Sequence, residues 1–480
     1  MLFNKNGIIK QAQLAKDIQA NAEAREEEQL KNLEDYVVQN IKNVNAPDIS
    51  GFDKNSTYYV SWNTSKSTYT INDTTLISKT EPSDWYDYTE GINKWANIKT
   101  TGGGNDCYWV WIPRYAYCIT EGYHSNVAGT VDIKFLKGTT NTPIDGSSIK
   151  ISNSSGSGNW NVHPAFWFDK NNNGVEDDGE QLAGIWVAKY EASSNSTDVV
   201  ENPTVEQLTT NGGGNTTDLK VRVKPNVTSW RGINVNSVFT VCRNLTTGGN
   251  SLENTNNLDS HMMKNTEWGA VAYLSRSVYG KNSEVWNNPY YNNTTNRSPI
   301  TGLCGNAPDY LTNIHNDVNI YKYNTEKGIN ASTTGNVYGI YDMAGGSWEY
   351  VAGIIEGKKT YGDNTAKDNF YNFNNINIYS NKYFNWYAGN SDKNDVNYNA
   401  NAGRYGDAMY ETSTETGTTP PSAISSWDSD YSVFISTNMP VLLRGGRSGD
   451  GNRAGIFAFY YTTGGSFLSS SFRPVAIRIK

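Results

Sequence analysis

The densest run of chemistry-bearing side chains lies between Asp169 and Glu180. Asp169, Asn171, Asn173, Asp177 and Glu180 fall at positions 1, 3, 5, 9 and 12 of this run, with Gly174 at position 6 and the Val175 carbonyl at position 7. Oxygen donors at that spacing, around a glycine that allows a sharp turn, are the pattern of a calcium loop. The flanks, Ala165–Phe168 and Leu182–Val187, read as strands and not as the helices of an EF-hand. A calcium ion here would be structural or adventitious, and the competing reading is an Asn/Gly-rich hairpin turn. No cofactor is required by either.

Other chemistry is sparse. Cys107, Cys118, Cys242 and Cys304, with His124, His163, His261 and His315, form no CxxC, HExxH or paired Cys/His spacing. A structural zinc site is therefore not expected. The four thiols admit three disulfide pairings or none. Glu349 and Asp342 could be paired as acid and base, but the sequence shows no third group to orient them. The expectation is a protein that is not an enzyme.

The elements that must position any site follow from composition. The 480 residues carry a net charge of −8 and only 18% charged side chains, with 62 Asn, 44 Gly and 32 Tyr. Such a mixture suits short strands joined by turns. An acidic balance without a Lys/Arg-rich run argues against nucleic acid as a partner. No run approaches 18 consecutive apolar residues, so none of this sequence reads as a membrane span, and no secretory signal is visible. Residues 8 to about 43 lack Gly and Pro, and their apolar spacing predicts one long helix, read as a stalk. Residues 46–103 read as a small β-rich segment. From 104 to 480 the pattern is one large α+β domain, with strand candidates at Tyr108–Tyr117 and Gly184–Glu191 and a buried helix at Thr266–Ser275.

Five ordered motifs in that domain carry a resemblance: Lys189–Ser193, Thr266–Ala270 (TEWGA), Gly335–Tyr350 (GNVYGIYDMAGGSWEY), Arg444-Gly445-Gly446 and Ser471–Pro474 (SFRP). Together they resemble the formylglycine-generating-enzyme branch of the C-type lectin fold. The oxidases of that branch use cysteines near the C-terminal end, and here the last cysteine is Cys304. Gly346 also stands where the family has Asn. The resemblance then points to the variable proteins of diversity-generating retroelements, whose C-terminal segment is rewritten at adenines. Residues 1–401 hold 60 Asn and the last 79 hold two, as expected if template Asn codons have been rewritten.

That resemblance implies a variable region at about 444–474, with a fixed frame of Gly and Phe positions. The candidate ligand-binding positions are Arg447, Ser448, Asp450, Asn452, Arg453, Ala458, Tyr460, Tyr461, Thr462, Thr463, Ser466, Phe467, Leu468, Ser469 and Ser470. Their side chains are expected on one exposed face, with Arg453, Tyr460 and Tyr461 as anchors. Phe457 and Phe459 are expected to face inward. Arg444 and Arg473 are expected to hold backbone or carboxylates, Glu349 among them, and Trp348 to be buried beside Arg444. The implied function is surface-displayed, adhesin-like binding of an unknown protein or glycan, with a phage receptor-binding or tail protein on a virion as the alternative. Asn6–Ala12 (NGIIKQA) and the Ala/Lys/Glu stretch after it are similar to the segment that follows the hydrophobic helix of type IV pilin-like proteins. This implies a cell-surface or pilus location, with a pilus or membrane anchor as partner.

Overall fold

Cys107–Pro113 and Gly184–Ala188 are runs of aromatic and β-branched residues, and they pair antiparallel with Trp111 opposite Trp186. Side chains of that width favour a pleated surface covered on both faces. Every residue of the second strand is buried. The two strands are the centre of a seven-stranded sheet. On one side follow Pro474–Arg478 and Leu258–Met262; on the other follow Asn97–Thr100, Thr57–Thr64 and Ile71–Ser78. The computed structural model describes residues 5–44, 46–64, 71–177, 179–195, 219–291, 298–308, 319–355, 381–389, 394–415 and 426–479.

Residues 46–103 are thus joined to the larger domain. Asn97–Thr100 bridges Thr57–Thr64 to Cys107–Pro113, and Trp85, Trp95 and Ile98 enter the same hydrophobic core as Trp186 and Val475. A second sheet is built on Trp348–Ile355. This strand pairs antiparallel with Val441–Arg444 and parallel with both Asn385–Tyr387 and Ser470–Phe472. Phe459–Thr462 lies outside Val441–Arg444. The C-terminal segment is therefore woven into both sheets.

Three helices matter here: α1 (Lys5–Val44), α2 (Val235–Arg243) and α3 (Asn265–Arg276). Glu267 caps α3 by accepting the Lys264 N–H at 2.7 Å. The helix is buried from Asn265 to Ser275, and Gly269 is needed because a Cβ there would lie 2.3 Å from the Gly406 carbonyl oxygen. Helix α1 is different. Its described side chains, residues 10–33, are all exposed, Leu14, Ile18, Leu30 and Leu33 included. Over that stretch it is not packed on the domain. Among the described residues, no helix is long and apolar enough to cross a membrane.

The architecture is mixed α+β, with one N-terminal helix and several small sheets. One local expectation is corrected. Pro164–Phe166 is a single helical turn and not a strand, because proline suits a first helical position and His163 Nδ1 accepts the Ala165 N–H at 3.2 Å. The four cysteines are free and buried.

Candidate functional site: a groove on the C-terminal segment

Two buried arginines fix the frame. Arg444 donates to Asn265 Oδ1 and to the carbonyls of Asp407, Ala408 and Ile456 at 2.9–3.3 Å. Arg473 forks onto Glu349 at 2.6 and 3.1 Å and also donates to the Ala188 and Tyr341 carbonyls. The expected partner of Glu349 is therefore Arg473, as the motif frame implied, more than a hundred residues downstream. Asp342 accepts the Gly302 N–H and the Asn288 amide, and nearby Glu191 accepts the Ser347 N–H at 2.7 Å. Both Glu349 and Asp342 are sealed from solvent, Trp348 beside them is 6% exposed, and Glu349 pairs with Arg444 across the strands. Gly346 has φ +69°, and a Cβ on it would sit 2.5 Å from Glu191 Oε1. Any side chain at this position would meet the Glu191 carboxylate. Gly346→Ala is expected to lower the melting temperature by several degrees, about 1–3 kcal/mol for left-handed strain plus displacement of the carboxylate; an unchanged melt would contradict the close approach.

The segment between these arginines is held by its backbone. The Trp348 N–H donates to Ser469 O at 2.9 Å, Gly232 N–H to Phe467 O at 3.0 Å, and Val235 N–H to Gly464 O at 3.0 Å. Tyr350 Oη reaches Gly465 O, Arg231 reaches Leu468 O, and Tyr431 N–H reaches Arg453 O. Each acceptor is a main-chain carbonyl, so these bonds do not read the side chain at 453, 467, 468 or 469.

Ten of the fifteen candidate positions line one groove of about 560 Å³: Arg447, Asp450, Arg453, Tyr460, Tyr461, Thr462, Thr463, Phe467, Ser469 and Ser470. Tyr460 and Tyr461 stack with centroids 4.7 Å apart, and Arg447 pairs with Asp450 at 3.1 Å. Asn452 and Ser466 are exposed and Leu468 is half-buried, all outside the groove lining. Trp348, Tyr431, Met439, Leu443 and Gly449 complete the groove. Sequence reasoning missed them as ligand-facing residues, since nothing local distinguishes Tyr431 or Met439 from core.

Four candidates are not on an exposed face: Ser448, Ala458, Thr462 and Ser470 are at most 5% exposed. Strand alternation begins only at Phe459, so Ala458 sits in a turn between Phe457 and Phe459 and is buried with both. Thr462 and Ser470 lie in sheet pairs with Val441 and Trp348, and Ser448 N–H is tied to Gly346 O at 2.8 Å. A larger cavity, about 1000 Å³, lies between Trp111, His163, Trp167 and Arg478 and touches none of the fifteen.

The 169–180 loop is closed by hydrogen bonds among the expected ligands and its own backbone. Asp169 accepts the Asn173 and Gly174 N–H groups, and Glu180 accepts those of Lys170, Asn171 and Asp177 together with Trp167 Nε1. Asn171 and Asn173 both turn their amide nitrogens to Asp177 Oδ2, at 2.6 and 2.7 Å. Val175 is exposed, and its N–H donates to Asn173 Oδ1. Among the described residues no group of three or more His, Cys, Asp or Glu is placed to hold a metal.

Buried acids give the fold a pH dependence. Burial pushes Glu349 and Glu411 up to about 7, against the opposing pull of Arg473 on the first and of the Gly406 N–H and the Tyr117 and Tyr273 hydroxyls on the second. Folded protein thus keeps protons that the unfolded chain, with ordinary glutamates, releases near 4.5. Stability from these groups is complete below that value and is lost as pH rises through 7. Melting temperature is expected to fall between pH 5 and 8; a rise over that range would contradict the burial.

No family model and no curated protein matches this chain. Among solved structures it is similar to the Major Tropism Determinant P3c variant, at 12% identity over 81% of this chain and 83% of that one, with a TM-score of 0.22. At that score the likeness carries no argument about this chain.

Proposed function

We propose that this chain is a non-catalytic, hypervariable ligand-binding protein of the C-type lectin fold, diversified by a retroelement and displayed on a cell surface. The observation that carries the reading is the way the 444–473 segment is fastened. Fixed residues hold its main chain, while most side chains at the candidate positions face a groove or solvent. A surface meant to accept many sequences needs a scaffold that is indifferent to them. The exposed helix α1 supports a stalk that joins the domain to a pilus or membrane anchor. Deep sequencing of the 3′ end of the gene across a growing population tests the reading. Substitutions should cluster in the codons of the candidate positions that are at least partly exposed, such as Arg447, Arg453, Tyr460, Tyr461 and Phe467, and spare Arg444, Phe457, Phe459 and Arg473; a uniform sequence would remove it.

The 169–180 loop is proposed to take calcium as a structural ion, supported by the convergence of Asn171 and Asn173 on Asp177 within one turn. Binding requires both amides to turn their oxygens inward. Titration calorimetry should show heat with calcium that Glu180→Gln abolishes, and calcium should raise the melting temperature of wild type alone. No heat in the wild type would withdraw the ion.

A further inference from the structure

We propose that the cavities around Trp167 and Tyr405 form a second binding site, for a neutral polysaccharide chain, separate from the groove of the C-terminal segment. The inference does not depend on the hypervariable reading. The cavity of about 1000 Å³ adjoins another of about 370 Å³, and Pro164, Trp167 and Tyr405 line both. Small-molecule sites occupy about 300–1000 Å³, so the pair has room for several linked units. None of the fifteen candidate positions belongs to either lining.

The occupant follows from the chemistry of the walls. Trp167, Trp386 and Tyr405 are half-buried rings on the linings, and the C–H faces of a sugar ring pack on such surfaces. The Trp167 indole is held in place, its Nε1 donating to Glu180 at 3.0 Å. Among the described residues the charges balance: Asp48, Glu176, Asp177 and Asp407 stand against Lys170, Lys264, Arg404 and Arg478. Asp48 pairs with Arg478 at 2.6 Å, and Lys170 donates to the Gly179 carbonyl at 2.8 Å. A lining without surplus charge does not select a charged partner.

Its hydrogen-bonding groups are of both kinds. Asn141 and Asn385 are pinned through Oδ1, by Arg114 and by the Thr266 N–H, both at 2.8 Å, which leaves their amide hydrogens for a ligand. Trp111 Nε1 and His163 Nε2, on residues of the larger lining, meet no acceptor among the described residues. His163 Nδ1 accepts the Ala165 N–H, so the ring hydrogen sits on Nε2. An unpaired buried donor is costly, and a ligand oxygen relieves it. The carboxylates of Glu176 and Asp177 take donors instead. Sugar hydroxyls supply donors and acceptors alike. A proline-rich segment, the other chain that suits aromatic grooves, supplies carbonyls and few donors.

The test is affinity electrophoresis of the full chain in gels carrying dextran, mannan, xylan or hydroxyethylcellulose, with alginate as the acidic polymer. A polyproline peptide is titrated separately by tryptophan fluorescence. At least one neutral polymer should retard the protein. Trp167→Ala and Tyr405→Ala should each weaken that binding at least tenfold with the melting curve kept, and Tyr461→Ala in the other groove should leave it unchanged. Tyr405 is only half-buried, so its variant keeps the test decisive if the Trp167 indole proves needed for folding. Retardation by none of the polymers would overturn the site. Retardation that survives Tyr405→Ala, or that is lost in Tyr461→Ala, would overturn its location. Binding of alginate or polyproline alone would overturn the neutral polysaccharide.

Discussion

Arg473→Met is expected to lower the melting temperature by about 10 °C or more. The guanidinium is wholly buried, forks onto Glu349 and ties the carbonyls of Ala188 and Tyr341, so it joins both sheets to the turn at Asp342. Three buried carboxylates, Glu191, Asp342 and Glu349, surround this region. Removing the cation from such a site costs about 3–5 kcal/mol, because a buried charge is stranded. That is a large part of the stability of an ordinary domain. Arg473→Lys keeps the charge but not the fork, and should recover only part of the loss. Circular dichroism melts of both variants check this; a methionine variant that melts within a few degrees of the parent would show that the cluster carries little of the fold.

The second large effect is a contrast between near neighbours. Ala458→Glu places an unpaired charge where no solvent reaches, between two buried phenylalanines, and should destabilise by more than about 3 kcal/mol. Tyr461→Glu, three residues on, projects from a half-buried strand position into the groove. It should change stability by about 0.5 kcal/mol or less. Equal losses in the two variants would mean that the groove wall is core.

Legibility of the fold was uneven, for physical reasons. Helix α1 announced itself because an uninterrupted run without Gly or Pro is a local property, and the buried α3 followed from its apolar spacing. The strands at Cys107–Pro113 and Gly184–Ala188 were visible in the aromatic and β-branched content of the candidates at Tyr108–Tyr117 and Gly184–Glu191. What joined them was not. That residues 57–100 extend the main sheet depends on the pairing of Asn97–Thr100 with Cys107–Pro113, a contact no local pattern encodes. The same limit applied to the groove. Its wall from 447 to 470 was singled out by the depletion of Asn and the motif frame. The rest of its lining, Trp348, Tyr431 and Met439 among it, reaches the groove only through tertiary packing. Ala458 was misjudged because period-two alternation was extended one residue before the strand begins.

The central claim is that the C-terminal segment is a tolerant surface on an indifferent scaffold. The most direct measurement is a melting survey of a library randomised at the eleven positions found at least partly exposed: Arg447, Asp450, Asn452, Arg453, Tyr460, Tyr461, Thr463, Ser466, Phe467, Leu468 and Ser469. A companion library varies only Ser448, Ala458, Thr462 and Ser470. Most members of the first should fold and melt within a few degrees of the parent, and most members of the second should not fold. If the first library unfolds as widely as the second, those eleven side chains are structural and the tolerant-surface account is wrong.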